Sequence, residues 1–209
     1  YVGFLQRELN AEEIPGHRPE GDYILVTPGG GGDGAELIHN VLHAYQQDPE
    51  LTYKAVIVLG PYMPARQRRK LMKKGMKLAS VKIIEFDNQM EDLVAGAKAV
   101  VAMGGYNTYC EILSFDKPAL IVPRTVPRQE QLIRARRAAE LGLIDMLLPE
   151  EAADAHRLAE ALKALPARPR PSQSQPKLRL EGLMRISEIV GNWLDKRSHQ
   201  HLSVVERLS

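Results

Sequence analysis

The sequence predicts an α/β protein built on a doubly wound parallel sheet of the Rossmann-like kind, with one further helix appended at its C-terminus. Three observations carry this. Short apolar runs alternate along the chain with longer stretches of helical spacing, the pattern of strand–helix–strand units. The first run opens into a glycine-rich turn, Pro28-Gly29-Gly30-Gly31-Gly32-Asp33-Gly34. Two later runs each pass through a polar turn directly into a helix. In a parallel sheet such turns share the carboxyl edge of the strands, where open α/β sheets bind ligands.

Residues 1–21 are expected to form an extended segment or interdomain linker, because Pro15, Gly16, Pro19 and Gly21 interrupt any regular pattern. The main domain is expected over 22–165. Its first strand is Tyr23–Thr27. After the glycine run comes a helix from Ala35 to about Gln47, with Leu37, Ile38, Val41, Leu42 and Tyr45 at helical spacing. Lys54–Gly60 is the second strand, followed by a helix from Arg66 to about Lys74. The third strand is Val81–Phe86, and Asp87 to Met90 lead into a short helix ending near Gly96. Ala99–Ala102 is the fourth strand; Gly104-Gly105 then open a helix that carries Glu111. Ala119–Val122 is the fifth strand, stopped by Pro123. Glu130-Gln131 begin the next helix, which runs to about Leu141, and Ile144–Leu148 is a candidate edge strand. Pro149–Leu165 reads as one helix. The Pro- and Ser-rich stretch 166–176 reads as a linker, and 177–209 as an amphipathic helix and tail with Leu183, Ile186, Val190 and Trp193 on one stripe.

Composition bounds the function classes. With 44% hydrophobic and 26% charged residues the 209-residue chain is an ordinary globular protein. A net charge of +2 gives no reason to expect a nucleic acid partner. The single cysteine, Cys110, excludes an intrachain disulfide framework and fits a reducing, cytoplasmic setting. No apolar run approaches the roughly 18 residues of a membrane span, and no signal peptide pattern is present. The chain begins with Tyr1, so it is read as a fragment, a processed product or a separate subunit.

A glycine run between a strand and a helix lets backbone approach a phosphate and aims the helix's first N–H groups at it. The run is no Walker A motif, since no Lys-Ser/Thr follows, and it is a poor dinucleotide fingerprint. Asp33 is awkward beside a diphosphate and is expected to cap the following helix with its side chain turned away. Seven of the twelve residues from Arg66 to Lys77 are Lys or Arg. They suit either anionic lipid headgroups or a polyanionic substrate or, more plainly, a solvated helix face. His39 and His43 have the spacing of a zinc pair but lack a third ligand and the glutamate of a metalloprotease motif, so no metal is expected. Cys110 reads as a buried small residue, and Ser114 is not in a nucleophile elbow.

From Tyr23 to Leu148 these motifs, in this order, resemble the donor-binding C-terminal half of GT-B glycosyltransferases. The likeness is to family 28, which includes the UDP-GlcNAc transferase of peptidoglycan precursor synthesis, and more nearly to uncharacterised predicted glycosyltransferases. The resemblance implies that the turn at Gly29, Gly30, Gly31, Gly32 and Gly34 faces a diphosphate. It implies that Phe86, Asp87 and Met90 hold the base. Gly104, Gly105, Tyr106, Asn107 and Thr108 would lead to a ribose-binding Glu111, and Glu130 and Gln131 would bind sugar hydroxyls. Arg124, just past the fifth strand, stands where it could neutralise phosphate charge.

The implied activity is transfer of a hexose or N-acetylhexosamine from a nucleotide-sugar, with UDP the leading carrier. It would proceed with inversion and without a metal or other cofactor. The catalytic base is expected in an N-terminal acceptor domain, and no base is assigned here. Homodimerisation through the C-terminal helix and peripheral membrane contact are further options. Three rival readings stay open: a separate donor subunit of a two-chain enzyme, a nucleotide-sugar epimerase, and a non-enzymatic nucleotide-binding regulator.

Overall fold

A computed structural model of the chain describes residues 3–9, 19–30, 32–176, 178 and 180–205, with side chains placed as far as Leu194 in the last helix. Gly31, most of the expected N-terminal linker (10–18) and the tail 206–209 lie outside the described residues. The chain divides into two compact units, one formed by residues 1–6 and 178–209, the other by 7–177.

The larger unit is a six-stranded parallel sheet. Its strands are β1 (Tyr23–Thr27), β2 (Lys54–Val58), β3 (Val81–Ile84), β4 (Ala99–Ala102), β5 (Ala119–Ile121) and β6 (Asp145–Met146), in the spatial order β3-β2-β1-β4-β5-β6. This is the doubly wound order of nucleotide-binding folds, with its reversal point between β1 and β4. All residues of β1, β4 and β5 are buried, because a parallel sheet is covered on both faces. That is why these strands read as unbroken apolar runs.

The helices are α1 (Ala35–Gln47), α2 (Ala65–Gly75), α3 (Met90–Gly96), α4 (Tyr106–Ser114), α5 (Glu130–Glu140), α6 (Pro149–Ala152) and α7 (Ala155–Ala164). The first, α1, buries Leu37, Ile38, Val41, Leu42 and Tyr45 and packs against α2, α6 and α7, while α3 and α4 pack together.

Two expectations are corrected. The single helix expected over Pro149–Leu165 is broken at Asp154, whose carboxylate accepts from the N–H groups of His156 and Arg157 and so caps a new helix, α7. The stretch expected as a linker, 166–176, is ordered against the sheet domain. A 3₁₀ turn covers Leu165–Ala167 and a short helix, α8, covers Pro171–Ser174. Proline at N1 starts a helix readily, since the missing N–H has no partner there in any case. Ser172 then donates twice to Asp116, from N at 2.8 Å and Oγ at 2.7 Å, and Gln175 Nε2 donates to Leu141 O at 3.2 Å.

In the smaller unit Leu5 forms an antiparallel bridge with Glu181, Gly182 N donates to Phe4 O at 3.0 Å, and the terminal helix α9 spans Gly182–Val205. It starts at Gly182, a few residues inside the stretch 177–209 expected for helix and tail. Leu183, Ile186, Val190 and Trp193 are exposed.

Candidate functional site

Neighbouring strands fix which turns meet. Thr27 lies opposite Ala102 across the β1–β4 pair, and Ala102 opposite Ile121 across β4–β5. The turns after β1, β4 and β5 therefore leave the sheet side by side. On the other flank, Tyr62 N donates to Gly30 O at 2.9 Å, drawing the turn after β2 onto the glycine run. This approach requires Gly60, which has φ +88° and whose added Cβ would stand 2.5 Å from Gly29 O.

Together the turns enclose a cleft of about 520 Å³ at the reversal point of the sheet. Of the residues singled out in the sequence, Gly29, Gly30, Gly32, Phe86, Asp87, Met90, Gly105, Tyr106, Asn107, Thr108, Glu111, Arg124 and Gln131 line it. Gly34, Gly104 and Glu130 stand behind or beside its wall. Gly34 packs beneath Pro28, whose Cβ would lie 2.0 Å from an added Cβ; its lack of a side chain serves the turn. Gly104 offers its carbonyl to Arg134 Nη1 at 2.7 Å.

Two of the helices that begin at the cleft, α1 and α4, do so without a side-chain cap. Gly34 is the N-cap of α1 and Gly105 that of α4. The positive ends of two helix dipoles thus open on one space, the arrangement that suits an anion. Phe86, 57% exposed, offers a flat apolar face just beyond β3. Asp87 does not float beside it: its Oδ1 accepts from Gln89 N at 2.7 Å and fixes the start of α3.

Glu111, in the second turn of α4, is buried. Burial pushes its carboxyl up to about 6, the nearby Glu91 adds to this, and Arg7 opposes it. Arg7 comes from the N-terminal segment. Its N–H donates to Ser114 Oγ at 2.8 Å and its Nη2 to Asn107 Oδ1 at 3.0 Å, which ties Arg7 to α4.

Arg124 crosses the mouth of the cleft. Nη1 donates to Asp33 Oδ2 at 2.8 Å and Nη2 to Glu130 Oε1 at 2.5 Å, while its backbone N–H donates to Gln131 Oε1 at 3.0 Å. Hydrogen bonds from Glu130's own backbone N–H and from Arg124 hold the Glu130 carboxyl below its ordinary value. This corrects the expectation for Asp33, which pairs with Arg124 instead of capping α1. Arg124 is correspondingly committed to carboxylates.

Sequence reasoning missed Tyr62, Thr27, Gly60 and Arg134. Tyr62 is 77% exposed yet lines the cleft, and only the β1–β2 adjacency brings it there. Arg134 lies 5.6 Å from the Tyr106 ring centroid and braces the Gly104–Tyr106 turn. Its place one turn into α5 gave no signal. His39 and His43 lie with ring centroids 6.4 Å apart, and among the described residues no cluster of three or more His, Cys, Asp or Glu could hold a metal ion. Cys110 is fully buried.

The UDP-N-acetylglucosamine--N-acetylmuramyl-(pentapeptide) pyrophosphoryl-undecaprenol N-acetylglucosamine transferase of Caldanaerobacter subterraneus subsp. tengcongensis is 26% identical over 147 residues, 69% of this chain and 40% of that protein. Among solved structures the calicheamicin glycosyltransferase CalG4 is similar, with TM-score 0.65 and 20% identity over 93% of this chain and 47% of that one. The UDP-GlcNAc 2-epimerase of Methanocaldococcus jannaschii is similar too, with TM-score 0.57 and 16% identity over 82% and 45%. The chain thus spans less than half the length of each of these proteins. Residues 23–188 match the family model described as the glycosyltransferase family 28 C-terminal domain, and the chain belongs to that family.

Proposed function

We propose that the cleft is the donor site of a glycosyltransferase and binds a nucleotide-sugar, with UDP as the carrier. One observation supports this above the others: three groups far apart in sequence (Gly29, Gly30 and Gly32; Phe86, Asp87 and Met90; Gly105 to Thr108 with Glu111) line one cleft at the reversal point of the sheet. Uncapped helix ends at Gly34 and Gly105 suit the diphosphate. Exposed Phe86 suits a base, and buried Glu111 suits the ribose hydroxyls, which donate to an ionised carboxylate. Gln131, and Glu130 beyond it, lie where the sugar would follow.

In this reading the leaving diphosphate gains charge in the transition state. Preorganised amides at the two helix starts stabilise it without a metal ion. The acceptor attacks from the opposite face of the sugar, with inversion, and is deprotonated by a base in an N-terminal acceptor domain. A cytoplasmic setting with peripheral membrane contact belongs to the same proposal. It is supported by the lone cysteine and by the cations between Arg66 and Lys77, of which only Arg68 is ion-paired among the described residues, to Glu85 at 3.3 Å. No described helix is long and apolar enough to cross a membrane.

Calorimetric titration with UDP, GDP and dTDP tests the donor reading. Saturable binding of UDP, tighter than of the other two, is the expected result. Failure of all three to bind overturns the proposal.

A further inference from the structure

We propose that Asp33, tied through Arg124 to Glu130, makes the cleft discriminate a nucleotide-sugar from the free nucleoside diphosphate it leaves behind. The inference rests on the donor reading above. Asp33 belongs to the glycine-rich turn assigned to the diphosphate, and Glu130 opens the helix assigned to the sugar. Arg124 spans the two, at 2.8 Å and 2.5 Å. The triad therefore stands where phosphate and sugar would join.

Two carboxylates against one guanidinium leave one net negative charge at that point, and 47% and 46% of the two acidic side chains are exposed. Arg124 has little left to offer an arriving anion. Both its terminal nitrogens already donate to carboxylates, and Nε is buried with no partner among the described residues. An acid placed here weakens every phosphate ligand, but unequally. In a nucleotide-sugar the distal phosphate is a diester with one negative charge. In the free diphosphate it is terminal, with a second ionisation near pH ~6, so it carries nearly two charges at neutral pH. One extra charge about 6 Å from a net negative group in a partly hydrated cleft costs on the order of threefold to tenfold in affinity. The triad thus favours release of the spent carrier and its replacement by fresh donor.

Other charged groups surround Asp33. Glu36 lies across a neighbouring hollow of about 250 Å³ that Asp33 and Arg124 also line. Arg128 acts on Glu130. Asp87 and Glu111 line the cleft itself. Glu111 is assigned to the ribose, which both ligands share, so its titration cancels in the ratio of their affinities.

The test measures dissociation constants for the tightest-binding of UDP, GDP and dTDP and for its glucose conjugate, from pH 8 down to about 5.5. For the unmodified chain the preference for the conjugate falls as pH falls, because the terminal phosphate gains a proton. In Asp33→Asn both ligands bind tighter, the free diphosphate by about three- to tenfold more than the conjugate, and the pH dependence of the ratio flattens. Asp33→Ser serves as a second variant. Equal changes for both ligands, or a wild-type ratio that ignores pH, overturns the inference while leaving the donor reading standing. Binding of no nucleotide overturns both.

Discussion

Glu111 shows how one residue can be arranged for a ligand at the expense of the fold. A carboxyl raised from its ordinary 4.5 to about 6 by burial is a charge the folded chain holds at a cost. The sign is opposite to that of a salt-bridged acid. Between pH 4.5 and 6 the folded state binds more protons than the unfolded one, so stability falls as pH rises through this window and stays lowered above it. The difference amounts to about 2 kcal/mol at neutral pH. Glu111→Gln is therefore expected to raise the unligated protein's stability by about 1–2 kcal/mol at pH 7.5, with the gain gone below pH ~4.5. The same change is expected to weaken UDP by tenfold or more, since an amide accepts from ribose hydroxyls less strongly than a carboxylate. Denaturant unfolding across pH, paired with titration of UDP, checks both halves. A variant that is less stable at neutral pH would show that Glu111 is a structural acid. Its place in the helix that follows Gly104-Gly105 was readable in the sequence. Its burial and the approach of Arg7 were not, because Arg7 and Asn107 are a hundred positions apart.

At the scale of elements, the glycine-rich turn is divided between two tasks. Gly34 has no room for a methyl group, with Pro28 Cβ 2.0 Å and Cγ 2.6 Å from an added Cβ. Gly32 has room, since its nearest neighbour would be Tyr62 Cβ at 3.9 Å. Gly34→Ala is expected to cost about 1–3 kcal/mol by overpacking, read as a lowered Tm. Gly32→Ala is expected to leave stability within about 0.5 kcal/mol while weakening UDP, because the methyl stands on the cleft wall. Similar losses of stability in both variants would refute this division. The turn as a whole was legible as a strand-to-helix junction, since a glycine run between an apolar run and a helical pattern is a local signal. Which glycine met backbone or solvent was not, as it depends on Pro28 and on the turn after β2. The stretch 166–176 misled for a related reason. Composition alone treats Pro and Ser as linker residues, whereas Pro171 sits at N1 of α8 and Ser172 finds Asp116, 56 residues away.

Across the whole molecule, the charged groups of the cleft have prior engagements. Asp33 and Glu130 are held by Arg124, Asp87 accepts from the N–H of Gln89, and Glu111 is assigned to the ribose. Among the described residues no histidine lines the cleft. Sugar transfer needs a group that takes the acceptor's proton as the glycosidic bond forms, and none of these is free to do so once the donor is seated. The relatives in which this fold transfers sugars are more than twice as long as their matched portion. The 209-residue polypeptide by itself is therefore expected to bind UDP and a UDP-sugar without turning the sugar over. Incubation of the chain with UDP-hexoses and UDP-N-acetylhexosamines, followed by chromatography of the nucleotides, checks this directly. Release of UDP at an enzymatic rate, with or without an added acceptor, would mean that the cleft contains its own base. Conversion of the sugar-nucleotide to its epimer with no acceptor present would overturn the transferase reading in favour of isomerisation, an outcome that fold likeness to an epimerase leaves open to experiment.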